Sequence, residues 1–244
     1  MNTVTQPSHP LLNRLAGGLI VSCQAPPDSP VHGPRFMAAF ARAAEMGGAV
    51  GVRVNGPADI RAVRRAVALP IIGIQKLKTE NYPVYITPTL ASARRLVEAG
   101  ADIIALDATH RPRSGGLTPE ALIKAIQTEL GCLVMADIDS LEEGARAAEA
   151  GADIVATTMA GYTPARPMTD GPDLDLLTAL AAQVKTPLIC EGRLGSPADV
   201  AAAFKAGAFA VVVGTAITNP VALTQGFARA ARLTEDERRT TKDE

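Results

Sequence analysis

Tryptophan is absent from this chain, and three tyrosines and five phenylalanines are its other aromatics. That scarcity excludes the stacking platforms on which unpaired nucleic-acid bases are held. An excess of one charge is missing too: 24 Lys and Arg stand against 25 Asp and Glu, a formal net charge of −1. Without a basic footprint, nucleic acid is excluded as the partner. Cys23, Cys132 and Cys190 are odd in number, far apart and never in a CxxC, so they read as free thiols in the reducing cytoplasm. His9, His32 and His110 lack metal-ligand spacing, and no metal site is expected. No apolar run reaches the ~18 residues of a membrane span. The stretch Leu15–Cys23 after Arg14 holds two glycines and no small-residue cleavage pattern, so a first strand explains it better than a signal peptide. No HExxH, Walker loop or nucleophilic triad is recognisable.

What the chain has in abundance is short aliphatic runs that stop at glycine or at a polar residue. Runs apolar on both faces suit strands of a buried parallel sheet. They predict strands over Leu19–Gln24, Ala49–Asn55, Ile71–Lys76, Asp102–Asp107, Leu133–Asp137, Ile154–Thr158, Leu188–Glu191 and Ala210–Gly214. Amphipathic, Ala-rich segments predict helices over Arg35–Met46, Ala58–Ala68, Leu90–Ala99, Pro119–Leu130, Leu141–Ala150, Leu174–Val184, Pro197–Ala206 and Pro220–Arg232. Thr118-Pro119 and Ser196-Pro197 place a capping hydroxyl before a first-turn proline. The phrase Glu98-Ala99-Gly100-Ala101-Asp102 recurs as Glu149-Ala150-Gly151-Ala152-Asp153, each time a helix end feeding a strand. Eight such units in 244 residues predict an α/β fold, a single-domain TIM (β/α)8 barrel over residues 19–232. A doubly wound open sheet is the alternative, but no GxGxxG follows the first strand. Residues 1–18 are expected to be a polar, partly disordered segment and 233–244 a charged tail. Leu77–Thr89 is too long for a simple connection and is expected to be a structured loop on the catalytic face.

Polar residues at the C-terminal ends of barrel strands converge on one mouth. The set is Gln24, Arg53 with Asn55, Lys76, Asp107, Asp137, Thr157-Thr158, Glu191 and Gly214-Thr215. A strand-end charge also arises as a plain rim residue or a helix cap, and Asp107 fits that reading as well as a functional one. Lys76 and Glu191 end otherwise apolar strands and are the expected catalytic pair. Burial and the neighbouring Arg53 would lower the lysine pKa, and an arginine can stabilise an enolate oxygen. Two strand–Gly–helix units at the C-terminus, around Gly192 and Gly214-Thr215, suit a phosphate.

Leu19-Ile20-Val21-Ser22-Cys23-Gln24-Ala25, Gly51-Val52-Arg53-Val54-Asn55 and Pro70-Ile71-Ile72-Gly73-Ile74-Gln75-Lys76 resemble the opening strands of the N-acetylmannosamine-6-phosphate 2-epimerase family. The resemblance continues through Val84-Tyr85-Ile86-Thr87-Pro88-Thr89, Leu106-Asp107-Ala108-Thr109, Met135-Ala136-Asp137 and Gly161-Tyr162-Thr163. Glu191-Gly192-Arg193 and Val213-Gly214-Thr215-Ala216-Ile217-Thr218 complete it. It implies a cofactor-independent isomerase that interconverts N-acetylmannosamine 6-phosphate and N-acetylglucosamine 6-phosphate at C2, in sialic acid breakdown. It implies proton transfer by Lys76 and Glu191, sugar binding by Gln24, Arg53, Asp137, Thr158 and Tyr162, and phosphate binding by Gly192, Arg193, Gly214, Thr215 and Asn219. It also implies a homodimer or higher homo-oligomer acting on a phosphorylated N-acetylhexosamine.

Two departures stand out. Family members often carry arginine where this chain has Asn219, so either Arg193 or Arg166 supplies the missing charge, or phosphate affinity is lower, or the preferred substrate differs. Pro26–Pro34, with His32, is unusual for the loop after the first strand. Two alternatives remain at this stage. Lys76 could form a Schiff base in an aldolase or lyase, or the barrel could bind a sugar phosphate without turnover.

Overall fold

The structure is a computed structural model that describes residues 9–240. Eight parallel strands close into a barrel in sequence order: β1 (Leu19–Cys23), β2 (Gly51–Asn55), β3 (Ile71–Ile74), β4 (Ile103–Asp107), β5 (Leu133–Asp137), β6 (Ile154–Ala156), β7 (Leu188–Glu191) and β8 (Ala210–Val213). Closure is made by β8 on β1, with Leu19 opposite Val211 and Val21 opposite Val213. The TIM barrel expected from the sequence is the fold.

Among the described residues ten α-helices accompany the strands: α1 (Pro10–Leu15), α2 (Pro34–Met46), α3 (Pro57–Ala66), α4 (Leu90–Ala99), α5 (Pro119–Leu130), α6 (Leu141–Glu149), α7 (Leu174–Gln183), α8 (Pro197–Lys205), α9 (Thr215–Thr218) and α10 (Pro220–Thr240). Their starts follow local chemistry. Thr118 and Ser196 accept hydrogen bonds from the third helical N–H of α5 and α8, each satisfying a donor that the helix itself cannot.

Strand alternation divides the apolar residues between two compartments. Val52, Val54, Val134, Ala136, Val155, Cys190, Val211 and Val213 point outward and pack beneath the helices. Ile20, Ile72, Ile74, Ile103, Ala105, Met135, Ile154, Ile189 and Val212 point inward and fill the lumen. The same parity carries Gln24, Asp107, Asp137, Thr158 and Glu191 to the inside, each two or four residues after an inward aliphatic, and Arg53 to the inside between the outward Val52 and Val54; Thr157 is out of step with that set.

Residues 9–18 are less polar in role than expected. Leu12 and Leu15 of α1 are buried in the lumen cluster near Phe209, and they plug the barrel end opposite the mouth. The expected reading of residues 1–8 lies outside the described residues. At the other end α10 continues through Thr240, beyond the expected boundary at Arg232; residues 241–244 lie outside the described residues.

The Leu77–Thr89 segment is an addition to the barrel wall. Ile86 pairs with Lys76 as an antiparallel bridge, Leu77 N donates to Tyr85 O at 2.8 Å and Thr87 N to Gln75 O at 2.8 Å. On its other side Asp107 N donates to Ile86 O at 3.0 Å. The run Val84–Thr87 thus wedges between the tops of β3 and β4, which themselves pair through two residues each. This wedge ends β3 at Ile74 and carries Lys76 onto the rim.

Candidate active site

Arg53 is the most deeply buried cation among the described residues, 1 % exposed on an inward position of β2. A buried guanidinium requires carboxylates, and two are supplied from across the barrel. Asp137, fully buried at the end of β5, takes a two-pronged pair, with its oxygens 3.0 and 2.6 Å from the terminal nitrogens of Arg53. Glu191, at the end of β7, accepts a hydrogen bond from the same guanidinium. Thr158 Oγ1 lies between the two acids, 2.7 Å from Asp137 and 3.0 Å from Glu191.

One cation between two acids leaves a carboxylate that is incompletely neutralised. Glu191 is that group: burial, joined by the charge of Asp137, pushes its pKa up to about 7 against the opposing pull of Arg53. Arg53 itself is held above its ordinary value, because Asp137 and Glu191 outweigh its desolvation. Asp137 uses both oxygens on Arg53 and Thr158, so it fixes the guanidinium.

Lys76 stands on the opposite wall. In an eight-stranded barrel β3 and β7 are four strands apart in either direction, which makes them diametric. Lys76 opens to the mouth, yet desolvation by the rim, and then the positive charge of Arg53, lower its pKa. Glu191 and Asp137 oppose that shift. The Lys76 backbone is fixed by Asn55, whose side-chain oxygen accepts from Lys76 N at 3.0 Å.

Thr157, which the sequence groups with Thr158 at one strand end, has a distinct role. It ends β6 in a short 3-10 turn. Its hydroxyl bridges both sides of one residue's backbone, donating to Glu191 O at 3.0 Å and accepting from Glu191 N at 3.1 Å. A β-branched hydroxyl at a strand end was the available signal. Gln24 donates to Ser22 Oγ at 2.7 Å, and its own oxygen is buried without a partner among the described residues, as is Arg53 Nε. Polar atoms left unpaired in a mouth are where a polyhydroxylated ligand would bind.

Asp107 is a bracing residue. It is fully buried and accepts from Thr109 N and Oγ1 at 3.0 and 2.7 Å and from Arg111 at 2.5 Å. Arg113 donates to the carbonyls of Asp107 and Thr109 at 2.8 and 2.5 Å. This network shapes the loop between β4 and α5.

The far side of the mouth is built from the turns after β7 and β8. Gly192 has φ 106° and Arg193 φ 57°, a left-handed pair that turns the chain sharply away from Glu191. Arg193 commits all three guanidinium nitrogens to the β6–α7 connection: Nε to Gly171 O at 2.9 Å, the others to Ala160 O at 2.8 Å and Thr169 Oγ1 at 3.0 Å. Its cationic plane lies 5.3 Å from the ring centre of Tyr162, which is half exposed. Gly161 allows this approach, since a Cβ there would meet Arg193 at 3.2 Å and the Met168 backbone at 2.9 Å.

Arg166 is paired with Asp173 at 2.8 and 3.1 Å, at the start of α7. Asn219 caps α10, accepting from Ala222 N at 3.0 Å. The two arginines expected to replace a charge at Asn219 are therefore both engaged in building loops. Gly214 and Thr215 stand at the start of α9, where the first N–H groups have no intrahelical partner. His32 closes the unusual Pro26–Pro34 loop through Ala25 O at 3.1 Å.

Among the described residues no group of three His, Cys, Asp or Glu side chains is placed to hold a metal ion, and no helix is long and apolar enough to cross a membrane.

Comparison with known proteins agrees with the fold and gives the family. Residues 37–233 match the family model described as "Putative N-acetylmannosamine-6-phosphate epimerase". A relative from Synechococcus elongatus, named "Putative N-acetylmannosamine-6-phosphate 2-epimerase", is 53% identical over 209 residues, covering 85% of this chain and 90% of the relative. A relative of the same name from Thermosynechococcus vestitus is 50% identical over 226 residues, covering 93% and 98%. The solved structure of the N-acetylmannosamine-6-phosphate 2-epimerase from Clostridium perfringens superposes with a TM-score of 0.88 at 41% identity, covering 93% of this chain and 98% of that one. The chain belongs to the N-acetylmannosamine-6-phosphate epimerase family.

Proposed function

We propose that this protein is a cofactor-independent isomerase that interconverts N-acetylmannosamine 6-phosphate and N-acetylglucosamine 6-phosphate by moving the proton at C2. The observation that carries the reading is the diametric placement of Lys76 and Glu191, with Arg53 beside the acid. Inversion at carbon needs a proton removed from one face and returned to the other. Two groups on opposite walls, each with its pKa drawn toward neutrality, meet that need.

In the open-chain aldehyde the C2–H bond is acidified by the C1 carbonyl. One of the pair takes the proton, and the bonding electrons move into an enolate whose oxygen lies against Arg53. The other group then delivers its proton to the opposite face of C2. After one turnover the proton has changed sides between Lys76 and Glu191, and the reverse reaction restores it. Asp137 positions Arg53, and Thr157 and Thr158 position Glu191. Gln24 offers an unpaired oxygen to a sugar hydroxyl. Tyr162 lies over the phosphate side of the mouth. The phosphate rests on the backbone around Gly192, Arg193, Gly214 and Thr215, with the Asn219 amide nitrogen as a side-chain donor.

The relatives and the family model are named as epimerases, so the epimerase reading is preferred to a Schiff-base role for Lys76. Lys76→Ala and Glu191→Gln are each expected to lower kcat at least 10³-fold, in the range of a lost general acid or base (about 10²–10⁴), with a cooperative unfolding transition retained. Either variant turning over near the wild-type rate would sink the assignment.

Supporting observations also favour a cytoplasmic homo-oligomer. The three cysteines are free and buried, as in a reducing compartment. Ile217, Val221, Leu223 and Phe227 expose an apolar face on α9 and α10, which a second copy of the chain would cover. Light scattering after size exclusion tests this, and a monomer at micromolar concentration would refute it.

A further inference from the structure

Tyr85 lies on the wedge between β3 and β4 and has no part in the chemistry described above. Its backbone is fixed by the bond from Leu77 N, one residue after Lys76. Its ring is half-buried against the lumen cluster that includes Ile72, Ile74 and Ile103. Lys78 Nζ stands 5.8 Å from the ring centre, supporting the ring. The ring packs on the lumen side of the wall at the strand ends, so the phenol faces the mouth; burial, then the charges of Asp107 and Asp137, raise its pKa, while Arg111 and Arg53 pull it down. No hydrogen bond to its hydroxyl forms within the described residues.

The position of this group relative to the substrate follows from the Proposed function, on which the inference rests. With the phosphate on the β7–β8 turns and C2 between Lys76 and Glu191, the chain beyond C2 extends toward β3 and β4. Two substituents lie there, the C1 oxygen and the acetamido group. Arg53 takes the C1 oxygen, because that is where negative charge develops. The acetamido group is left for the β3–β4 side. It carries a carbonyl that accepts one hydrogen bond and a methyl that needs an apolar surface. A tyrosine presents both a donor and a ring face at low entropic cost.

We propose that Tyr85 is a specificity residue that recognises the 2-acetamido group, its hydroxyl donating to the amide carbonyl and its ring packing on the methyl. The contact is the same before and after the C2 proton moves, so it contributes to binding in ground and transition states alike.

The test compares wild type with Tyr85→Phe, which keeps the ring and removes the donor. KM for N-acetylglucosamine 6-phosphate and kcat are measured, together with the Ki of glucose 6-phosphate, which has a hydroxyl in place of the acetamido group. Loss of one neutral hydrogen bond is expected to raise KM about three- to ten-fold. The Ki of glucose 6-phosphate should not change, and kcat should stay within about two-fold. A KM rise below three-fold, or KM and Ki rising together, overturns the proposal. Tyr85→Ala should raise KM further by removing the ring face, and no additional rise would also count against it. Absence of turnover in the wild type would overturn the epimerase reading itself, and that outcome is seen without any variant.

Discussion

Replacing Asp137 with asparagine should move the whole pH profile of the reaction to lower pH. The reasoning begins with the proton inventory. In one direction the reactive form has Glu191 ionised and Lys76 protonated; in the other, Glu191 is protonated and Lys76 neutral. Both forms hold one proton between the two groups, so both directions fall off when the pair holds two protons or none. The profile is a bell whose acidic limb is set by Glu191, raised to about 7, and whose alkaline limb is set by Lys76, lowered from 10.5. Asp137 and Glu191 both contact Thr158 Oγ1, at 2.7 and 3.0 Å, so their nearest oxygens are less than about 6 Å apart. At an effective dielectric of ~20, a unit charge ~6 Å away is worth about 3 kcal/mol, or about 2 pH units. The Asp137→Asn substitution would remove that charge and leave Arg53 to Glu191, partly screened by the mouth, so the acidic limb should fall by about one to two units. Lys76 loses an acid that raised its pKa, and the alkaline limb falls as well. The assay is kcat/KM against pH in both directions; titration of the substrate phosphate is common to both enzymes and cancels in the comparison. An acidic limb that stays in place or rises would refute the electrostatic account of the cluster.

Stability should carry the mark of the same group. Glu191 has a folded pKa above its unfolded value of 4.5. Its contribution is therefore complete below about pH 4.5 and is lost as pH rises through about 7. Glu191→Gln should match the wild type in denaturant near pH 4 and exceed it at pH 8 by up to about 3 kcal/mol; equal stability at both pH values would contradict this. Asn219→Arg should lower KM several-fold by adding charge beside the phosphate, while losing the cap on α10 at a cost of about 1 kcal/mol. An unchanged KM would remove Asn219 from the phosphate site. Thr157→Val keeps the shape and removes the bridge to both sides of the Glu191 backbone. It should reduce kcat about ten-fold with little change in KM, and loss of KM alone would count against a positioning role.

The barrel was legible because its signals are local and repeated. Each short aliphatic run stops at a polar residue, so Gln24, Arg53, Asp137 and Glu191 could be placed at strand ends around one mouth without coordinates. Pairings across the barrel were not legible. Nothing near Arg53 indicates that its two-pronged partner lies 84 residues away, or that Asp107 is satisfied within its own loop. The wedge at Val84–Thr87 ends β3 two residues before Lys76, which the apolar pattern alone could not show. Arg193 and Arg166 have the charge a phosphate wants, and only the folded loops reveal Gly171, Ala160 and Asp173 as their partners. Asn219 is a different case. Asparagine before proline is a helix-start signal, and it announces a cap as clearly as a ligand.

The central claim is that two groups on opposite walls exchange the C2 proton with solvent between turnovers. It is tested most directly by proton NMR of N-acetylmannosamine 6-phosphate incubated with the enzyme in heavy water. The account predicts that product formed at early conversion carries deuterium at C2, while unreacted substrate keeps its protium. Product that retains the original C2 proton would show that one group carries it across, and would contradict the assignment of Lys76 and Glu191 as separate acid and base.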